Sequence, residues 1–205
     1  MKFIVYISFI IQLLLSAMNA RADTDLFIAA LLPPTAQEYY KNLQQKIREN
    51  GIMMSDTLPN KLHITIRFVG KFNDTEKQQK VEVVKQALAG FPFPKSITFT
   101  PKNISGGHLV LANIESNELM ELHQKIDKKL VEAGFEKAKN FRPHVTIGSL
   151  QSHKNTKEAI QKINEDIAKE NIQLSVDEFK LLGSSKESGT RQYFIPEDYE
   201  LLITF

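Results

Sequence analysis

Residues 61–69 read KLHITIRFV, and this stretch decides the fold because polar and apolar side chains alternate along it. Alternation with a period of two is typical of a β-strand with one buried face. One face would carry His63, Thr65 and Arg67, and the other would carry the apolar residues at 62, 64, 66 and 68. The pattern predicts a strand whose apolar face is buried and whose polar face lines something wet or polar.

Residues 143–148, PHVTIG, repeat the arrangement: His144 and Thr146 would share one face, with Val145 and Ile147 on the other. The two histidines lie too far apart in the sequence for a local metal site, so they meet only if two similar lobes face each other. One His-x-Thr sequence is common by chance, whereas two copies, each in a strand with one apolar face, are stronger evidence for a shared site. The pattern alone leaves open that they are ordinary strand residues.

Helical and strand patterns alternate around these two stretches. Capping boxes at Thr35 with Glu38 and at Asn73 with Glu76 predict two helix starts, a third helix ends at Gly134, and Thr156 is expected to cap a fourth. Further strands are predicted over residues 26–32, 96–100, 108–114, 172–182, 192–195 and 201–205. No linker divides the chain, so we expect one α+β domain over residues 23–205, with two lobes of mainly antiparallel sheet and outer helices.

Residues 1–22 differ from the rest of the chain. Lys2 precedes an apolar run over residues 3–15, which is shorter than the roughly 20 residues that span a bilayer, and Ala20 and Ala22 form a small-x-small cleavage pattern. We predict a signal peptide that is cleaved after Ala22, and therefore a periplasmic or secreted protein without a membrane anchor. The alternative is an uncleaved N-terminal anchor.

Composition excludes several classes of protein. With 42% apolar and 24% charged residues the chain is neither disordered nor fibrous, and the absence of cysteine excludes disulfides, thiol nucleophiles and Cys-ligated zinc. Without Lys2 and Arg21 the basic residues fall from 26 to 24 and equal the 24 acidic residues. A neutral domain lacks the basic face of a protein that binds long nucleic acids, so a short end or a nucleotide is the more plausible ligand.

Two imidazoles in one cleft suit general acid–base hydrolysis. Histidine has an ordinary pKa near 6.5, so that one neutral ring can deprotonate water while a protonated ring supplies a proton to the leaving oxygen. Threonine hydroxyls beside them can donate to developing negative charge. This chemistry requires no metal and no cofactor, and we expect neither.

The flanks of both motifs strengthen this interpretation. Residues 58–70 and 141–147, supported by residues 26–33 and 181–184, resemble the 2H phosphoesterase superfamily in its bacterial RNA 2′,3′-cyclic phosphodiesterase branch, also called 2′-5′ RNA ligase-like. The resemblance covers the chain from about residue 25 onward. It implies a bilobal fold in which both His-x-Thr motifs face a central cleft.

The resemblance also implies an activity. Such a protein would be a metal-independent phosphodiesterase that opens 2′,3′-cyclic phosphates of RNA ends, short oligonucleotides or nucleotides, usually to 2′-phosphates. His144 would be the base, His63 the acid, and Thr65 and Thr146 would hold the phosphate. Open alternatives are action on 2′-5′ linkages or another cyclic phosphate, a catalytically weak nucleotide-binding module, and an anchored structural domain.

Two features depart from the family pattern. Many relatives have an arginine shortly after the second motif, where this chain has Gly148 and Ser149, and an aromatic residue before the first, where it has residues 52–54, IMM. Both departures bear on the recognition of RNA ends more than on the phosphodiester chemistry.

Other side chains are candidates for substrate binding. These are Arg67, Arg142, Phe141 and Tyr193. The alternatives are that Arg67 pairs with a structural carboxylate and that the two aromatic rings belong to the core or the surface. His108, His123 and His153 show no metal-ligand spacing and are expected at the surface or in turns. We expect a monomer without a stable protein partner.

Overall fold

The computed structural model describes residues 24–152, 156–187 and 190–194. The predicted signal peptide, His153 and the predicted strand over residues 201–205 lie outside the described residues. No helix in the described part of the chain is both long and apolar enough to cross a membrane.

Strands and helices alternate much as the sequence patterns predict. The strands are β1 Thr24–Leu31, β2 Met54–Asp56, β3 His63–Phe72, β4 Ile97–Gly106, β5 Leu109–Glu115, β6 His144–Leu150, β7 Leu174–Val176, β8 Glu178–Glu187 and β9 Thr190–Phe194. The helices are α1 Pro34–Glu49, α2 Asp74–Ala87, α3 Asn117–Glu132 and α4 Thr156–Ile167, and a 3₁₀ turn covers Pro59–Lys61.

The described strands form one antiparallel sheet in the order β7-β4-β5-β6-β3-β1-β8-β9, with β2 paired to β6. β3 and β6 join the two halves of the sheet through a single register pair, Ile64 with Val145. The predicted α+β fold with two antiparallel lobes is confirmed, and the lobes meet as a continuous sheet at this pair.

The helices cover one face of the sheet. α2 and α3 contact β3, whereas α1 contacts β6 and α4 contacts β4. Ile64 and Val145 are fully buried in the large core beneath the helices. Phe27 and Ala29 of β1 belong to a separate, smaller apolar cluster, because alternate residues of a strand point to opposite faces.

One of the two predicted capping boxes is present. The Asn73 side chain accepts hydrogen bonds from the N–H groups of Thr75 and Glu76 at 3.0 Å, and the Glu76 carboxylate accepts the Asn73 N–H. The box predicted at Thr35 is wrong, because α1 begins at Pro34 with Pro33 as its N-cap, two residues earlier than a Thr35 cap would place it. Proline at the first helical position has a backbone angle already set for the helix, which leaves Thr35 inside the first turn.

A β-bulge follows each His-x-Thr motif at the same offset. Thr65 pairs with Ala29 and Arg67 pairs with Ile28, so Ile66 is the extra residue in β3. Likewise Thr146 and Gly148 of β6 pair with consecutive residues of β5, which leaves Ile147 as the extra residue. A bulge disrupts the regular alternation of faces, so side chains beyond it no longer follow the sequence period.

Candidate active site

The antiparallel joint brings the four motif side chains together. Because Ile64 is paired with Val145, Thr146 stands opposite His63 and His144 stands opposite Thr65, on the face away from the helices. All four side chains are half-buried. The two histidines are diagonal neighbours, whose backbone positions in paired strands are about 7–8 Å apart, so that both rings border the space where a phosphate could bind.

Both imidazoles are held in the same way. Nδ1 of His63 lies 2.8 Å from the Lys61 carbonyl oxygen, and Nδ1 of His144 lies 2.8 Å from the Arg142 carbonyl oxygen. A carbonyl oxygen only accepts, so Nδ1 carries the proton and Nε2 is the ring nitrogen that can exchange a proton with a substrate. Each ring can therefore accept a proton when neutral or donate one when charged.

The surroundings of His63 favour its neutral form. Burial lowers the pKa of His63, the hydrogen bond to the Lys61 carbonyl opposes that shift, and the positive charge of His144 lowers the pKa further. The ring of buried Phe27 stacks on His63 with centroids 5.2 Å apart. Sequence reasoning missed Phe27, although its alternation with the core residues of β1 could have placed it on the cleft face.

Arg67 does not share the strand face of His63 and Thr65, and that prediction is wrong. The bulge at Ile66 turns Arg67 towards the helices, where its side chain is 4% exposed and its Nε donates to Asp127 Oδ1 at 2.7 Å. The guanidinium also donates to the carbonyl oxygens of Phe68 and Glu136. Arg67 thus has the structural carboxylate partner that the alternative interpretation expected.

Helix α3 contacts the first bulge on the helix-covered face of the sheet. Nδ1 of His123 donates to the Ile66 carbonyl at 2.7 Å, and the ring stacks on Phe141 with centroids 4.3 Å apart. The expectation that His123 is a surface or turn residue is therefore wrong, whereas His108 is exposed as expected. His123 and Asp127 are four residues apart on α3, so both reach β3 from one helical face.

Asp127 links α3 to both motifs. Besides Arg67, the Asp127 carboxylate accepts the Ala138 N–H at 2.9 Å, in the loop that leads to His144. Burial raises the pKa of Asp127, but hydrogen bonds from Ala138 and Arg67 and the charges of Arg67 and His123 outweigh it and lower the pKa. The strand after Thr65 and the loop before His144 are therefore fixed to one carboxylate.

The second bulge has an equivalent support. The buried Gln44 side chain of α1 donates through Nε2 to the carbonyl oxygens of Ile147 and Thr57, each at 2.8 Å. Each bulge thus leaves a carbonyl that a buried helix side chain binds, His123 at Ile66 and Gln44 at Ile147.

Gly148 allows β2 to approach β6. A Cβ at Gly148 would lie 2.6 Å from the Ser55 carbonyl oxygen, so a larger residue would push β2 away. Ser149, where the family resemblance led us to expect an arginine nearby, is in register with Ser55 of β2 and Leu109 of β5.

Two of the remaining candidates, Phe141 and Arg142, line a cleft that adjoins this site. A cleft of about 510 Å³ extends from Thr65 and His144 along the loop that contains Phe141 and exposed Arg142. Tyr193 lies in β9 in register with Ser184 of β8. Among the described residues, no group of three or more His, Cys, Asp or Glu is placed to hold a metal ion.

Comparisons with known proteins define the family. Residues 33–187 match the 2′-5′ RNA ligase superfamily. The chain is 27% identical over 138 residues to an RNA 2′,3′-cyclic phosphodiesterase of Methanocaldococcus jannaschii, covering 67% of this chain and 78% of the relative. It is 25% identical over 166 residues to one of Thermotoga maritima, covering 78% and 86%.

Solved structures show the same fold. The apo form of E. coli LigT aligns with a TM-score of 0.59 at 19% identity, covering 86% of this chain and 96% of LigT. The chain therefore belongs to the 2′-5′ RNA ligase superfamily of 2H phosphoesterases, as the resemblance implied. The prediction that it is an enzyme of the phosphodiesterase class is confirmed at the level of this family.

Proposed function

We propose that this protein hydrolyses 2′,3′-cyclic phosphodiesters of short RNA ends, oligonucleotides or nucleotides to 2′-phosphates without a metal ion. The observation that carries the proposal is the Ile64–Val145 pair, which sets one His-Thr pair against the other across a single cleft. Homologous proteins from M. jannaschii and T. maritima bear the name RNA 2′,3′-cyclic phosphodiesterase. E. coli LigT has been solved in complex with 3′-AMP and with phosphate.

The two histidines act in line on the phosphorus. The attacking water gives a proton to His144 Nε2, its oxygen bonds to phosphorus, the bond from phosphorus to O3′ breaks, and O3′ takes the proton of His63. The Thr65 and Thr146 hydroxyls donate to the non-bridging oxygens, whose charge grows in the pentacoordinate state.

The acid role of His63 requires its pKa to rise when substrate binds. In the free protein burial lowers that pKa, but a phosphate anion beside the ring favours the charged imidazolium, and the effect is strong at a partly buried site. Binding of the substrate anion would therefore favour the uptake of a proton from solvent by His63. Arg142, Phe141 and Tyr193 are proposed to contact the rest of the substrate.

Turnover of adenosine 2′,3′-cyclic phosphate, with and without EDTA, tests the proposal. We expect EDTA to have no effect, and His63→Ala and His144→Ala each to lower kcat about 10²–10⁴-fold. His108→Ala, which removes an exposed histidine outside the site, is the matched control. Chromatography against 2′-AMP and 3′-AMP identifies the product, and loss of activity on chelation would end the metal-free mechanism.

The alternatives give different results in the same assay. A 2′-5′ phosphodiesterase would cleave adenylyl-2′,5′-adenosine and ignore the cyclic phosphate. A binding module would turn over neither but would be stabilised by 2′-AMP in a thermal shift measurement, because a ligand of the folded state raises stability. A structural domain would show neither response.

We also propose that the protein is exported, that its signal peptide is cleaved after Ala22 and that it acts as a monomer. The support for export and cleavage is the composition of residues 1–22. Intact mass and cell fractionation test cleavage and export, and light scattering tests the oligomeric state. A full-length mass in the membrane fraction would instead favour the uncleaved anchor.

A further inference from the structure

Strand β5 brings a polar side chain against the second motif, on the side of β6 that faces away from β3. Asn113 of β5 is the register partner of His144, and both side chains are half-buried. Residues directly opposite each other in an antiparallel pair point to the same face, with Cβ atoms about 4.5–5.5 Å apart. The Asn113 amide therefore lies on the cleft face, beside the His144 ring.

The orientation of the Asn113 amide is set by β4. Its Nδ2 donates to Asn103 Oδ1 at 2.7 Å and to Ser105 Oγ at 3.3 Å. β5 lies between β4 and β6, and the nitrogen and oxygen of a side-chain amide point in different directions from their shared carbon. Because Nδ2 is held towards β4, Oδ1 is turned towards β6 and His144. Among the residues that the structure describes, none donates a hydrogen bond to this oxygen.

The free oxygen of Asn113 lies on the side from which water would attack. In a displacement at phosphorus the attacking and leaving oxygens are roughly in line, on opposite sides of the phosphorus atom. If O3′ leaves beside His63 of β3 and water enters beside His144 of β6, the line from O3′ through phosphorus to the water continues towards β5. Asn113 is the β5 residue opposite His144, so its amide adjoins the entering water.

An attacking water has two O–H groups, and His144 Nε2 can accept only one of them. A donor left without an acceptor in a partly buried site costs free energy, and a water held by one bond can still rotate. An amide oxygen accepts the second O–H without placing a negative charge beside the phosphate anion. The hydrogen bonds to Asn103 and Ser105 hold that oxygen in place before substrate binds.

We propose that Asn113 Oδ1 accepts the second O–H of the attacking water and so orients the water for attack on phosphorus. The inference rests on the proposed function and adds a residue to its reaction. His144 takes one proton of the water, the water oxygen bonds to phosphorus, the bond from phosphorus to O3′ breaks, and O3′ takes the proton of His63. The second proton stays on the new phosphate oxygen, hydrogen-bonded to Asn113, and is then lost to solvent.

Methanol as a competing nucleophile separates orientation of water from the other steps, because methanol has a single O–H and needs only His144. In aqueous methanol, adenosine 2′,3′-cyclic phosphate gives 2′-AMP by hydrolysis and the methyl ester of 2′-AMP by methanolysis, and chromatography measures their ratio. Asn113→Leu has nearly the shape of the native side chain but no acceptor. We expect it to raise the ratio of ester to 2′-AMP about 2- to 10-fold.

Two further variants complete the comparison. Asn113→Asp keeps an acceptor oxygen and should keep the wild-type ratio, although its charge should raise KM for the anionic substrate. Glu115→Leu is the matched control, because Glu115 is exposed two residues further along the same face of β5, opposite Thr100 of β4. It introduces the same apolar side chain away from His144 and should leave both the ratio and kcat as in wild type.

The outcomes distinguish this inference from the proposed function. A wild type that does not turn over the cyclic phosphate removes the proposed function, and the water site falls with it. If wild type is active and Asn113→Leu slows hydrolysis and methanolysis equally, the proposed function stands and the role of Asn113 is overturned. A ratio in Asn113→Asp or Glu115→Leu that rises as far as in Asn113→Leu would overturn it as well.

Discussion

Ile64 and Val145 form the single register pair through which β3 joins β6, and this contact fixes the positions of all four motif side chains. Both residues are fully buried beneath the sheet, so the joint is an apolar contact on one face and the candidate active site on the other. Packing below the sheet therefore controls the spacing of the candidate catalytic groups above it.

Truncation at this joint should impair activity as well as stability. Ile64→Ala is expected to lower the free energy of unfolding by about 2–5 kcal/mol and Ile64→Val by about 0.5–1.5 kcal/mol. Ile163→Ala, at an equally buried position in α4, should cost a similar amount of stability. Chemical denaturation and kcat, measured well below the unfolding temperature, test this. Only Ile64→Ala should lower kcat in the folded protein, and an equal loss in Ile163→Ala would contradict a special role of the joint.

We expect the side-chain amide of Gln44 to stabilise the protein through its hydrogen bond to the second bulge, at Ile147. Gln44→Leu leaves the carbonyl oxygens of Ile147 and Thr57 without that buried donor, and we expect a loss of about 1–3 kcal/mol in the free energy of unfolding. Gln45→Leu, which removes only an exposed bond to Glu49, is the neighbouring control. Equal free energies of unfolding of the two variants in urea titrations would show that the Gln44 hydrogen bonds do not stabilise the protein.

Asp127→Asn should be strongly destabilising, because it leaves the Arg67 guanidinium buried without its carboxylate. Breaking a buried pair in this way costs about 3–5 kcal/mol, whereas Glu82→Gln, at an exposed pair with Lys85, should cost less than about 1 kcal/mol.

The pH dependence follows from the lowered pKa of Asp127. Because the folded pKa lies below the unfolded value, the contribution is fully present above the ordinary pKa of about 3.9 and is lost as the pH falls through the folded pKa. Unfolding curves from pH 7 to pH 2 should show a smaller acid-induced loss for Asp127→Asn than for wild type. Parallel curves would contradict the assignment.

His63 should titrate below its ordinary pKa of about 6.5 in the free protein, because burial and the charge of His144 both disfavour the imidazolium. His144→Ala removes that like charge and should raise the pKa of His63. Since the unfolded chain binds this proton more readily, His63 reduces stability as the pH falls below about 6.5. NMR titration of the His63 ring measures both effects, and an unchanged or lower pKa in His144→Ala would show that the two rings are not coupled.

A substrate whose leaving group departs without being protonated should distinguish the general acid from the general base among the two histidines. On a nucleoside 4-nitrophenyl phosphodiester the general acid is dispensable, so His63→Ala should retain a larger fraction of wild-type kcat there than on the cyclic phosphate. His144→Ala should be impaired on both, since water must still be deprotonated. The reverse pattern would assign the base to His63, the order favoured by the lowered pKa in the free protein.

Much of the catalytic face could be predicted from local pattern. Period-two alternation placed His63 with Thr65 and His144 with Thr146, and the box at Asn73 set the start of α2. These features depend on neighbours a few residues away, which the sequence displays directly.

The sequence by itself determined the two half-polar strands, the α+β class and the family. Tertiary structure alone decided the bulges, and with them the exchange that buried Arg67 and exposed Phe68. A bulge is stabilised by groups distant in the chain, here the hydrogen bond from His123 to the Ile66 carbonyl, so no local pattern around residue 66 records it. For the same reason His123 has no visible partner in the sequence: its acceptor is a backbone oxygen that becomes available only when α3 packs against β3.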